Sequence, residues 1–208
     1  MSFSISGELA ACVILATYLL GSIPFGLLFA RWLTGKDPRQ HGSGNIGATN
    51  AMRTGGKKVG ILTLLADILK GALPVAAVAY VFHDDTLSHW VALSAFLGHI
   101  FPIYLKFKGG KGVATMFGVL IPLVPWVAVL AFAVWLIIFK TTRYVSLASI
   151  VAGFLLPFLA WGLASLQHQT VELSLLMMCS ILGLFMIARH QENIVRLRNG
   201  TESKIGSS

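Results

Sequence analysis

Lys111-GVATMFGVLIPLVPWVAVLAFAVWLIIF-Lys140 is apolar from end to end, yet it begins and ends on a lysine. In a membrane protein, lysine and arginine collect in the cytoplasmic loops. A single crossing would put Lys111 and Lys140 on opposite sides. Pro122 and Pro125 offer the way out, because proline lacks the N–H that continues a helix. The stretch therefore reads as two helices, Val113–Ile121 and Trp126–Phe139, joined by the prolines, with both lysines on one side. The first is about 14 Å long, short of the ~30 Å apolar thickness of a bilayer. It either starts earlier or spans half the membrane.

The rest of the chain supports a membrane setting. Its 208 residues are 56% hydrophobic and 12% charged, with a mean hydropathy of +0.78. A soluble domain carries about 25% charge. Further apolar runs cover Glu8–Leu33, Val59–Phe82, His89–Leu105, Tyr144–Ala164 and Val171–Ala188. Each reads as a helix, since a spanning segment must satisfy its own backbone hydrogen bonds. The first run is too long for the apolar core of a cleaved signal and reads as a retained span. Lys36, Arg39, Arg53, Lys57 and Lys58 follow the first run, and Lys106, Lys108 and Lys111 follow the third. Lys140 and Arg143 follow the fourth, and Arg189, Arg196, Arg198 and Lys204 the last. The loop at His83–Ser88 holds Asp84 and Asp85 but no cation. The expected architecture is all-α: one membrane-embedded domain over residues 1–208 with seven transmembrane helices. Its N-terminus is outside and its C-terminus cytoplasmic.

The net charge of +8 sits in short loops, with no basic tail and no aromatic-basic interleaving. That pattern excludes a nucleic-acid partner and favours membrane orientation and anionic ligands. Cys12 and Cys179 lie inside apolar runs, where they read as small core hydrophobes rather than a disulfide. Gly21-Ser22-Ile23-Pro24 reads as a kink in the first span, packed close to another helix.

Three polar motifs fall on the cytoplasmic side in this topology. The first is His41-GSGNIGATNAMRTGGK-Lys58. Small residues at Gly42, Gly44, Gly47 and Ala48 let backbone N–H groups approach an anion. Ser43, Asn45, Thr49 and Asn50 add neutral hydrogen bonds, and Arg53 adds a two-pronged donor for phosphate or carboxylate. A flexible re-entrant loop is the plainer alternative. The second is Lys106-FKGGKGVA-Thr115, where Gly109, Gly110 and Gly112 surround Lys111 just before a helix, a ready anion site. It is no Walker A loop, since Gly112 follows the lysine. The third is Arg189-HQENIVRLRNGT-Glu202. His190 and Asn193 are three apart and share a helix face, and His190 can bind phosphate or act as acid or base. Asp67 and Lys70, also three apart, read as a salt bridge within a span, with a substrate or proton path second. His99 and Pro102 end the third helix near these motifs, and His99 is expected to face them.

GSGNIGATN…R, FKGGKGVAT and RHxENIxR, in this order between apolar helices, resemble the bacterial PlsY family of membrane acyltransferases over nearly the whole chain. The resemblance implies acyl transfer from acyl phosphate to the 1-hydroxyl of glycerol 3-phosphate. The products are lysophosphatidic acid and inorganic phosphate, in the first step of phospholipid synthesis. It matches the family's essential Ser and Arg to Ser43 and Arg53. It also matches the phosphate-binding glycine loop to Gly109–Gly112, with Lys111, and the family's His, Asn and Glu to His190, Asn193 and Glu192. No cofactor and no metal are implied. The expected setting is the bacterial inner membrane, with a monomer acting on its cytoplasmic side.

The chemistry of the residues is compatible. Both substrates carry phosphate, and an acyl phosphate already has a good leaving group, so positioning and charge stabilisation carry the acceleration. His-x-x-x-x-Asp, associated with acyl-CoA-dependent acyltransferases, is absent. Direct attack by the glycerol hydroxyl is expected, with a substrate phosphate oxygen able to serve as base. A transporter of a phosphorylated metabolite is the competing class, but it calls for a site at the midplane and often an inverted repeat. No such repeat is visible. A scaffold for anionic lipid leaves the asparagines and glycines unexplained.

Overall fold

The computed structural model describes residues 5–205, and these are helical or irregular, without a strand. The chain divides into two compact units, Met1–Leu123 and Val124–Ser208. Their boundary falls at the break between Pro122 and Pro125.

The first unit contains α1 (Gly7–Gly21), α2 (Phe25–Thr34), α3 (Ala48–Gly55), α4 (Lys57–Phe82), α5 (Asp85–Ile100) and α6 (Val113–Leu123). The expected first span is α1 and α2 together, interrupted at Ser22-Ile23-Pro24. Pro24 has no N–H to give and pushes Ile23 out of the helical region, so helical bonding stops and restarts there. Gly35 ends α2 in the left-handed region at φ +69°, its N–H bonded to the Arg31 carbonyl. The short α3 ends at Gly56, φ +85°, which turns the chain into the 26-residue α4.

These helices meet through small residues, as lipid-embedded helices do where backbones must approach closely. A Cβ on Gly118 of α6 would run into the Ile68 carbonyl of α4, and one on Gly71 of α4 would lie 2.9 Å from the Thr115 carbonyl. Likewise a Cβ on Gly21 would strike the Ala95 carbonyl of α5, and one on Gly98 the Tyr18 carbonyl of α1. The expected close packing at the kink is therefore present, and its partner is α5.

The second unit contains α7 (Pro125–Thr142), α8 (Val145–Leu166), α9 (Leu173–Ala188) and α10 (Gln191–Arg198). Arg143, at φ +63°, reverses the chain between α7 and α8. Gly183 of α9 packs on the Gly153 carbonyl of α8, and Trp135 of α7 donates its indole N–H to Ser149 Oγ of α8 at 3.1 Å.

The split of the Lys111–Lys140 stretch is present as α6 and α7. Among the described residues five helices are long and apolar enough to cross a membrane, or six if the bent pair α9–α10 makes one span. The 11-residue α6 rises about 16 Å, half a bilayer core. Its start at Val113 resolves the sequence alternative in favour of the half-length reading. The cysteines are both free, but only Cys179 is a core residue. Cys12 is exposed, because a lipid-facing position selects apolar character as strongly as a buried one.

Gly118→Val should force α4 and α6 apart, costing about 1–3 kcal/mol, a Tm loss of roughly 2–12 °C. Gly162→Ala in α8 is the control, since a Cβ there meets nothing within 4 Å. It should keep or raise Tm, because alanine favours a helix interior over glycine. Thermal unfolding of the detergent-solubilised protein measures both.

Candidate functional site

The first motif is built around one amide. Asn50, near the start of α3, is buried, and its Oδ1 accepts the Ser43 N–H at 2.9 Å. Its Nδ2 donates to the carbonyls of Pro38 at 2.8 Å, His41 at 3.0 Å and Asn45 at 2.8 Å. Two N–H bonds serving three acceptors make at least one of them three-centred. Asn50 is thus spent on the shape of the loop. Asn45 is spent similarly, its Oδ1 accepting the Gly47 N–H at 2.8 Å in an Asx turn. Gly42 and Gly44 have φ of +58° and +69°, and a Cβ on Gly42 would strike Asn50 Oδ1. Below them the Ile46 carbonyl lies so close to Gly26 of α2 that no side chain fits there.

This folding leaves other groups facing outward. Ser43 and Arg53 are exposed and Thr49 half-exposed. The stem of Arg53 passes Gly42, with its Cδ 3.9 Å from where a Cβ would stand. Among the described residues the Arg53 guanidinium forms no hydrogen bond or ion pair. Arg39, by contrast, is committed. Its Nη2 lies 2.6 Å from Asp37 Oδ2, which also receives Arg31 Nη2 at 2.7 Å. Hydrogen bonding from Arg39 holds the Asp37 carboxyl well below the usual carboxylate range. Sequence reading missed Asp37, although it stands just before the motif and also bonds the Arg39 N–H at 2.9 Å.

The second motif lies across the C-terminal end of α5. The Gly109 N–H donates to the Ile100 carbonyl at 3.2 Å and the Gly110 N–H to the His99 carbonyl at 3.1 Å. These amides satisfy helix-end carbonyls that would otherwise lack partners, which seats the loop on α5. The N–H groups of Val113, Ala114 and Thr115, which open α6, have no intrahelical acceptor by geometry and are the better placed donors. Gly110 and Gly109 are small because they pack on α5. Gly112 alone needs its φ, +80°, and it lies on the Phe96 ring. Lys106 and Phe107 are both held in the left-handed region, at φ +52° and +63°. Consecutive left-handed side-chain-bearing residues store backbone strain, which the surrounding loop must hold.

Between the two motifs, within the same unit, is a buried ion pair. Lys70 Nζ lies 2.8 Å from Asp67 Oδ1, and His99 Nδ1 lies 3.6 Å from the same oxygen. Lys70 also donates to the Ile23 carbonyl at 3.0 Å and stands 5.7 Å over the Phe25 ring. The pair expected from the three-residue spacing is present, and it ties α4 to the break between α1 and α2.

The third motif lies in the second unit. His190 is buried at the start of α10, with Nδ1 2.7 Å from the Met186 carbonyl. A carbonyl only accepts, so Nδ1 carries the hydrogen. Asn193 is buried too and donates from Nδ2 to Glu202 Oε1 at 2.6 Å. Ser146 Oγ donates to the same oxygen at 2.6 Å, and Arg196 Nε to Oε2 at 2.8 Å. The carboxylate that supports Asn193 is therefore Glu202. Glu192, the residue expected from the motif, has a side chain 82% exposed and only a 3.8 Å pairing with Arg196. The turn at Gly200, φ +69°, brings Glu202 back, and a following bond from the Ile205 N–H to the Arg143 carbonyl at 3.1 Å holds the segment down.

Known proteins are similar to this chain in sequence and shape. A family model described as "Glycerol-3-phosphate acyltransferase" matches residues 11–200. Proteins named glycerol-3-phosphate acyltransferase from Bordetella pertussis and Bartonella quintana are 42% and 46% identical. The alignments cover 95% and 94% of this chain, and 92% and 91% of theirs. A crystal structure of PlsY, "an integral membrane glycerol 3-phosphate acyltransferase", in its glycerol 3-phosphate form, superposes with a TM-score of 0.86 at 42% identity. It covers 95% of this chain and 96% of that one. The lysophosphatidic acid form superposes at 0.83 with 40% identity, covering 95% of each chain.

Burial pushes the Glu202 carboxyl up, but hydrogen bonds from Ser146, Arg196 and Asn193 outweigh it and lower its pKa. A carboxylate lowered on folding stabilises the fold fully above its ordinary value of 4.5 and loses that contribution as pH falls through the lowered value. Acid denaturation followed by tryptophan fluorescence should therefore show a steep acid limb. Glu202→Gln should lower stability at pH 7 and flatten that limb. An unchanged limb would show that the Glu202 cluster does not hold α10.

Proposed function

The chain belongs to the glycerol-3-phosphate acyltransferase family, and from that premise we propose that it moves an acyl group from acyl phosphate to glycerol 3-phosphate. The observation that carries the reading is that one unit holds two glycine-shaped loops, each presenting a cation. Arg53 stands on the first, and Lys111 precedes the opening of α6 on the second. Two phosphate-bearing substrates need two such places.

The glycerol 1-hydroxyl attacks the acyl carbon directly. The new ester C–O bond forms, the bond from the acyl carbon to the phosphate oxygen breaks, and the hydroxyl proton leaves on a phosphate oxygen. The products are 1-acyl-glycerol 3-phosphate and inorganic phosphate. Ser43, Thr49 and Arg53, with the Gly42 N–H, serve one phosphate, while Gly44 turns the loop with its own N–H on the His41 carbonyl. Lys111 and the N–H groups after Gly112 serve another. Asn45 and Asn50 fix the first loop, while Gly109 and Gly110 seat the second on α5. The resemblance assigns His190 and Asn193 to the same reaction. With Nδ1 committed to Met186, His190 would work through Nε2, as a phosphate ligand or a proton carrier. Asp67, Lys70, His99 and Glu202 support.

Purified protein should convert glycerol 3-phosphate and acyl phosphate to lysophosphatidate, with chelators leaving the rate intact and hydroxylamine trapping no acyl-protein. Acyl-CoA should fail as donor, since the cytoplasmic loops carry nothing resembling an adenine pocket. An acyl-protein trapped on Ser43, or turnover with acyl-CoA, would contradict this mechanism.

Seven apolar segments support a seven-helix membrane domain in which α6 enters only about half of the bilayer core, with the N-terminus outside and the loops carrying Arg53 and Lys111 on the cytoplasmic side of the bacterial inner membrane. The protein works as a monomer in this reading. Single cysteines at positions 84 and 168 should label from outside the cell. Those at 36, 108, 141 and 200 should not. External labelling at 141 or 200 would overturn the topology.

A further inference from the structure

The second loop rests on one residue of α5. His99 accepts the Gly110 N–H on its carbonyl at 3.1 Å, so its backbone holds the loop at that point. Its side chain does so as well. A Cβ on Gly110 would collide with His99 Nε2 and lie 3.0 Å from Cε1 and 3.1 Å from Cδ2. The edge of the imidazole is thus the floor under Gly110, one residue before Lys111. At the other edge of the ring, Nδ1 faces Asp67 Oδ1 at 3.6 Å, beyond hydrogen-bond distance, so the carboxylate acts on the ring through its field and packing. Asp67 is itself fixed by Lys70 at 2.8 Å, and all three side chains are buried.

We propose that Asp67 and His99 form a positioning pair for Lys111: the carboxylate orients the imidazole, and the imidazole sets the height of Gly110 and so the reach of the lysine that follows. Neither residue touches substrate. The proposal rests on the reading that the second loop holds a phosphate. Lys70 already balances the Asp67 charge, so charge neutralisation alone gives no reason for a histidine at position 99. Its ring spans from a fixed carboxylate to the underside of a glycine that no larger residue can replace.

The test is a double-mutant cycle on Gly110→Ala and His99→Gln in the full-length protein, with kcat and KM measured for both substrates. Lys111→Ala is the reference. Gly110→Ala alone should raise KM for one phosphate substrate about tenfold or more, the same substrate that Lys111→Ala affects. In the His99→Gln background the added methyl should cost less than about threefold, because a flexible amide swings away where the ring edge cannot. Asp67→Asn also leaves Lys70 buried without its counter-charge, so it is assayed only in the monodisperse folded fraction, where it should raise the same KM and leave the other unchanged. Equal cost of Gly110→Ala in both backgrounds would overturn the proposal. So would a His99→Gln variant whose only defect is a lower kcat for both substrates, the signature of less folded enzyme. A Lys111→Ala variant with normal KM for both substrates would remove the phosphate reading of the loop, and the positioning proposal with it. Size-exclusion chromatography confirms folding, and His99→Ala repeats the cycle with the ring removed outright.

Discussion

The ion pair between Lys70 and Asp67 is the contact on which the first unit turns. Charge inside a membrane helix is costly and persists only where it is paired. Here the lysine joins the Phe25 N–H on the Ile23 carbonyl at the break in the first span, while the aspartate faces His99 at the end of α5. One pair on α4 thereby ties together the break between α1 and α2, the end of α5 and the loop into α6. Removing one partner of such a pair leaves the other charge buried and costs about 3–5 kcal/mol, a large share of the stability of a typical protein.

Around that point the two glycine-rich loops solve the same problem differently. The first is a loop folded on a side chain: Asn50 gathers three carbonyls and an amide, and left-handed Gly42 and Gly44 let the backbone wrap it. The second is a loop folded on a helix end: Gly109 and Gly110 dock onto α5, and Gly112 turns the chain into α6. In both, much of the glycine and asparagine content serves the loop's own geometry. The groups left facing outward are Ser43, Thr49 and Arg53 in the first, and the opening of α6 in the second.

The hydrophobic pattern made the helices legible, and the placement of lysines made the Pro122–Pro125 break legible. Asp67 and Lys70 were readable because their partnership follows from helical spacing. What the sequence concealed depended on closure between distant residues. Asn50 bonds Pro38, twelve residues back, across a loop with no regular period. Glu202 reaches Asn193 only because Gly200 reverses the chain, whereas Glu192 lies in the motif and points to solvent. Cys12 was misread because lipid and core favour the same residues. Gly109 and Gly110 look like an anion cradle by composition, and only their hydrogen bonds to α5 reveal that they also seat the loop.

Binding stoichiometry tests the central claim, that Arg53 and Lys111 mark two separate phosphate sites. Titration calorimetry of the detergent-solubilised protein with glycerol 3-phosphate, and separately with a non-hydrolysable acyl phosphonate, should give one site for each ligand. Arg53→Lys should weaken one ligand strongly and Lys111→Ala the other. If both substitutions weaken the same ligand and spare the other, or neither weakens either one, the two-site account is wrong.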